Sequence, residues 1–276
     1  MQVTLPAIAF GGSARSCPIP AAVDPFSTWL RAVALGGTGR YAAAATELER
    51  LDVSGVDDAL RSLALSTRAA HRRQAGRHHL AVADDAKALF FAAGPIRADP
   101  TLEGGGRRTA ALCDALTGLA ADNLGRGMFG ASGRLLDRVE RTLDGRGRHP
   151  GGDWIWDGRV ELRLRWVRAE LAMFTGDAAG ADRHARDAVA MSAGCPSIRH
   201  VIKTDLIAAA AVATGGDVGQ AMERASRVSD LAREHGQLPL EWAAAKLLAG
   251  IGAGAQWSTQ AEHLGARLKV QGAALD

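Results

Sequence analysis

The chain has 276 residues, enough for one large or two ordinary domains, and its 47% hydrophobic content excludes a mainly disordered polypeptide. Aromatic residues are few and about one residue in five is alanine, a balance that favours helices able to approach one another closely. The net charge is only +3, but 29 of the 33 basic residues are arginine, which suits either carboxylate and phosphate binding or, for most of them, solvated helix faces.

Residues 1–23 hold three prolines and a Gly-Gly pair without helical period, so they read as an irregular N-terminal arm. Asp24-Pro25 then has the form of a helix start. Paired helices follow: Phe26 to Gly36 with Tyr41 to Leu51, then Asp57 to Ala75 with His78 to Ala92. A linker from Gly94 to Gly106 precedes Arg107 to Leu124 and Ala131 to Leu143. After a basic loop, Asp144 to Asp153, come Trp154 to Phe174 with Ala178 to Met191. The last pair is Ile198 to Ala213 with Val218 to His235, and residues 236–276 supply capping helices, Leu240 to Ala249 and Ala261 to Val270. No stretch alternates with period two for long enough to be a strand.

Aligning the turn glycines Gly39, Gly76, Gly127, Gly176 and Gly216 exposes a repeat. Seven residues before them stand Ala32, Ala69, Ala120, Ala169 and Ala209; five after them stand Ala44, Ala81, Ser132, Ala181 and Ala221. Small residues at these places let the two helices of a hairpin pack closely. Gly39-Arg40-Tyr41 with Ala44 and Leu48, and Gly176-Asp177 with Ala181 and Ala188, resemble the tetratricopeptide repeat. The resemblance covers residues 25–235, with turn glycines 37, 51, 49 and 40 residues apart instead of a constant 34. It implies an all-α, right-handed solenoid of about five antiparallel hairpins with repeats over 24–235, and a non-enzymatic scaffold binding a protein partner on its concave face.

A second column sharpens the partner. Arg31, Arg68 and Arg168 each stand eight residues before a turn glycine, and Trp29 and Trp166 each precede such an arginine by two. With Arg73, Arg163 and Arg165 they compose a candidate groove for an acidic protein segment, guanidinium forks supplying charge and indoles burial. The structural alternative is that each arginine pairs with a neighbouring carboxylate, and Asp205, alone in an apolar run, is the natural partner for Arg168. Basic clusters at Arg72-Arg73, Arg77-His78-His79, Arg107-Arg108, Arg146-Arg148-His149 and Arg199-His200-Lys203 keep a nucleic-acid partner as the runner-up. Small-molecule sensing in an aromatic-lined cavity is a third class.

Catalytic signatures are weak. Gly125 to Gly130 spells G-x-G-x-x-G but follows a helix where a dinucleotide site needs a strand. His78 and His79 cannot both face one ion, so neither metal nor cofactor is expected. Cys195 near a helix start is a candidate for a lowered thiol pKa, though more simply a buried thiol. Three scattered cysteines, no signal-peptide pattern and a longest apolar run of only Leu206 to Ala213 predict a cytoplasmic protein without a membrane span.

Overall fold

The structure, a computed structural model, describes residues 3–12, 18–53, 55–94, 102–145 and 153–275, with side chains in the fourth stretch from residue 106. The described residues form helices and no strand. They are α1 (Leu5–Phe10), α2 (Pro25–Gly37), α3 (Tyr41–Glu49), α4 (Asp58–Gln74), α5 (His78–Ala93), α6 (Leu102–Gly125), α7 (Phe129–Asp144), α8 (Gly158–Phe174), α9 (Ala178–Ser192), α10 (Ile198–Thr214), α11 (Val218–Glu234), α12 (Leu238–Gly250) and α13 (Ala255–Val270). Each packs mainly against its neighbours in sequence, as a stack of local units must.

Local chemistry explains the boundaries. Asp24 accepts from the Ser27 amide and Ser27 Oγ accepts from the Asp24 amide, both at 2.9 Å, closing a capping box with Pro25 in the first turn. Asp57, Asp177 and Asp217 cap α4, α9 and α11 through the amides of Leu60, Gly180 and Gln220. All five turn glycines found in the sequence have positive φ, from +75° to +93°. At Gly76 the next amide, Arg77 N, reaches back to Arg72 O at 2.9 Å, so the left-handed residue satisfies a helix-end carbonyl while reversing the chain. All ten small residues of the repeat columns are 0% exposed, and the pattern runs one step further, to Ala245 seven residues before Gly252.

Three boundaries differ from the sequence expectation. The N-terminal arm is not irregular throughout, because Leu5–Phe10 is helical and buries Leu5, Ile8, Ala9 and Phe10 against α2. Six residues are too few to show a period. The expected linker Gly94 to Gly106 is shortened from its C-terminal side, where α6 begins at Leu102; residues 95–101 lie outside the described stretches, as do Arg146, Arg148 and His149. The last helix starts at Ala255 rather than Ala261, directly after Gly254 at φ +117°.

The C-terminal helices also do more than cap a far end. Tyr41 of the first turn shares a core with Leu238, Ala245, Ala261, Leu264 and Leu268. Ala42 N donates to Gln271 O and Arg77 Nε to Ala274 O, each at 3.0 Å. The end of the chain is thereby sealed against its beginning, and helices α2, α4, α6, α8, α10 and α12 surround a shared interior.

Candidate ligand-binding cavity

That interior holds a cavity of about 590 Å³, to which α2, α4, α6, α8, α10 and the start of α12 all contribute. Phe10 of α1 enters it from one side, its ring 5.4 Å from Trp29 and 5.9 Å from His200. Trp29 and Trp166 line it but are 1% and 9% exposed, and they act as ties between successive inner helices. Trp29 Nε1 donates to Thr67 Oγ1 and Trp166 Nε1 to Thr204 Oγ1, both at 3.0 Å and both across 38 residues.

The arginine column lies elsewhere. Arg31 pairs with Glu47, and Arg68 grips Asp84 through Nε and Nη2 at 3.1 and 2.8 Å. Glu47 and Asp84 each stand eight residues after the turn glycine, so the sequence contains a symmetrical cross-hairpin pair. The position eight after Gly176 is His184, and Arg168 therefore turns to the preceding hairpin, meeting Asp137 at 2.7 Å and Glu140 at 3.0 Å. Arg165 meets the same Glu140 at 3.3 Å. The expected Arg168–Asp205 pair does not form, because Asp205 bonds Arg224 at 2.9 Å, the residue eight after Gly216. Arg31, Arg68, Arg165 and Arg168 are thus occupied by carboxylates, and none of them lines the cavity.

Of the sequence-derived site residues, Trp29, Arg73, Arg163 and Trp166 do line it. Arg73 is held by Asp85 and Asp122, both 0% exposed. Burial raises the Asp85 carboxyl to about 7, the attraction of Arg73 being partly offset by repulsion from Asp122. Asp114, 2% exposed, accepts from Arg159 at 3.0 and 2.6 Å and from Arg163 at 2.6 Å. Burial pushes its carboxyl up, but the two guanidiniums outweigh that and hold it below the ordinary value of 3.8. One carboxylate thus answers two cations.

Arg199, from the first turn of α10, has no carboxylate partner among the described residues. Its guanidinium lies 5.8 Å from the Phe10 ring centroid, and that of Arg159 lies 5.7 Å from the same ring. Burial first, then repulsion by Arg159 and Arg163, pulls it down to about 10, so it remains charged at neutral pH. Beside it, Gln237 is 1% exposed and its Oε1 has no hydrogen-bond partner. Arg199 Cδ and Gln237 Oε1 are both 3.3 Å from where a Cβ on Gly37 would stand, so the missing side chain lets both approach that backbone closely, and all three residues line the cavity. Turning the Gln237 amide about its last torsion exchanges this unpaired acceptor for an NH₂ donor.

The remaining cavity charges cancel or are absent. Lys203 faces Glu170 at 3.5 Å. Burial, with nearby arginines, lowers His71 to about 3 and His200 well below its usual value, so both rings are neutral at pH 7. His200 Nδ1 lies 2.8 Å from Ser197 Oγ, and its ring stacks on Trp166 at 5.5 Å. The excess positive charge therefore resides on Arg199 and on the Arg159–Arg163 pair.

The other sequence candidates give no reaction centre. Burial raises the Cys195 thiol, the opposite of an activated cysteine. Gly125 ends α6 and Gly130 lies in α7, so the glycine string has a helix on either side. No group of three or more His, Cys, Asp or Glu among the described residues could hold a metal ion, and no helix among them is long and apolar enough to cross a membrane. No protein-family model, curated protein or solved structure matches the chain.

Sequence reasoning had placed Arg199 and Lys203 in a basic cluster and passed over Phe10 and Arg159. The available signal was the i, i+4 spacing of Arg159/Arg163 and Arg199/Lys203 at the starts of two helices, which puts each pair on one face.

Proposed function

We propose that the chain is a non-enzymatic binding module, a TPR-like right-handed solenoid of about five hairpins, that captures the acidic group of its ligand in the central cavity. The observation carrying this reading is Arg199, a charged guanidinium that faces a cavity of about 590 Å³ with no carboxylate partner among the described residues. Charged side chains inside proteins are normally paired, and a cavity of a few hundred Å³ with apolar walls and a few converging polar groups is the usual form of a ligand site. An acidic protein segment or a smaller acid satisfies the same charge, but it does so at Arg199 and Arg163, in place of a groove edged by Arg31, Arg68 and Arg168. The nucleic-acid alternative has no comparable support, since Arg72 and Lys203 of its clusters already face Asp84 and Glu170.

The test is thermal unfolding, followed by tryptophan fluorescence, in a series of carboxylates and an acidic peptide at matched ionic strength. Wild type should be stabilised by acids over chloride, Arg199→Gln should lose that response, and Arg31→Ala with Arg68→Ala should keep it. Loss of the response in the Arg31/Arg68 variant with retention in Arg199→Gln would return the site to the outer column.

A further inference from the structure

The cavity is not uniformly charged, and its gradient identifies the ligand. Helices α8 and α10 run side by side in the same direction: Trp166 bonds Thr204 near the middle of the two helices, and Ala172 packs with Ala208 and Ala211 later in them. Along α8 the lining passes from Arg159 and Arg163 through Val167 and Glu170 to Met173 and Phe174; along α10 it passes from Arg199 through Lys203, which pairs with Glu170, to Ile207 and Ala210. Both helices therefore present cations in their first half and apolar side chains in their last turns. From Arg163 to Phe174, and equally from Arg199 to Ala210, eleven residues at 1.5 Å each make the gradient roughly 16 Å long. Ala121 and Leu124, late in α6, add to the apolar half. Phe174, 63% exposed with Phe129 at 6.3 Å, stands at its outer end.

We infer that the ligand is an amphipathic organic acid: one anionic head in the cavity beside Arg199 and Gln237, and an unbranched apolar tail laid along Val167, Ile207 and Met173 toward Phe174. The inference rests on the acid-binding reading above and adds the tail. A head of this kind takes two hydrogen bonds from the guanidinium fork and one from the Gln237 amide. The tail then covers side chains whose alternative is water. A chain carrying negative charge along its whole length would meet Glu170 and then only apolar side chains, whereas a free medium-chain carboxylate has its one charge at Arg199.

The experiment is isothermal titration calorimetry of the full chain with decanoate, decanol and butyrate. Decanoate should bind one to one, at least tenfold more tightly than either of the others. Arg199→Met should bring decanoate down to the affinity of decanol while leaving decanol unchanged, a pattern that misfolding would not give. Ala210→Phe, which fills the tail path and leaves the head site intact, should weaken decanoate at least tenfold with butyrate unaffected. Equal affinities for butyrate and decanoate, both lost in Arg199→Met, would overturn the tail and leave the acid site standing. Decanol binding as well as decanoate in wild type and variant alike would overturn the acid site as well. Preference for a peptide ending in an apolar residue over decanoate would assign the cavity to a chain terminus and overturn the free acid.

Discussion

Replacing Asp114 by Asn removes the carboxylate that bonds both Arg159 and Arg163, without changing side-chain shape. Three short guanidinium contacts end on a carboxylate that is 2% exposed, and Arg159 itself is 3% exposed. Removing one partner of such a buried group costs about 3–5 kcal/mol, mostly because the surviving charge stays buried and uncompensated. Arg163 borders the cavity, where water relieves part of the penalty, so the lower end applies, about 3 kcal/mol. At about 2–4 °C per kcal/mol for a chain of this length, the melting temperature should fall by about 6–12 °C. Urea unfolding at pH 7 measures the free energy, and decanoate should recover part of the loss by supplying the missing anion. The Asp114 carboxyl is depressed below 3.8, so its contribution is complete above that pH and is lost in more acid solution. The gap between wild type and variant should therefore narrow only there. A loss below about 1 kcal/mol would mean that the triad behaves as a surface pair, and the electrostatic account of the cavity would fail.

Other perturbations test separate parts of the account. In double-mutant cycles read by urea unfolding, Asp205→Ala and Arg224→Ala should couple by about 0.5–1 kcal/mol, whereas Asp205→Ala and Arg168→Ala should add independently. Asp85 holds its proton to about 7 in the fold but releases it near 3.8 when unfolded, so wild-type stability falls as pH rises from 4 to 7. Asp85→Asn removes that fall, and its stability relative to wild type should rise across the same window in pH-dependent melts. Gly76→Ala places a side chain in open space at φ +76° and should cost about 1–2 kcal/mol. Gly39→Ala should cost more on the same assay, because its Cβ would stand 2.7 Å from Leu268 Cδ2 of α13 and press on the closure between the chain ends.

The helical stack was legible because its packing is local. A glycine that must adopt positive φ and a small residue at each helix crossing recur at fixed offsets, and all ten crossing residues are fully buried. The pairing of Arg31 with Glu47 and Arg68 with Asp84 was equally present, as acids eight residues after Gly39 and Gly76; with those acids matched to the arginines, the sequence favours structural pairs over a groove. Arg168 escaped because its partners lie in the preceding hairpin and no rule of offset reaches them. The cavity was hidden for a further reason. It depends on the chain closing from Tyr41 to Leu268 and on Phe10 arriving from a six-residue helix, contacts between distant segments whose sequences carry no shared period.

The central claim is that the working arginines face inward. Guanidinium NMR of the full chain, following the Nε–Hε resonances during a decanoate titration, tests it most directly. The account predicts that Arg199 and Arg163 shift to saturation together while Arg31 and Arg68, already bonded to Glu47 and Asp84, stay in place. Movement of Arg31 and Arg68 with Arg199 unchanged would contradict it.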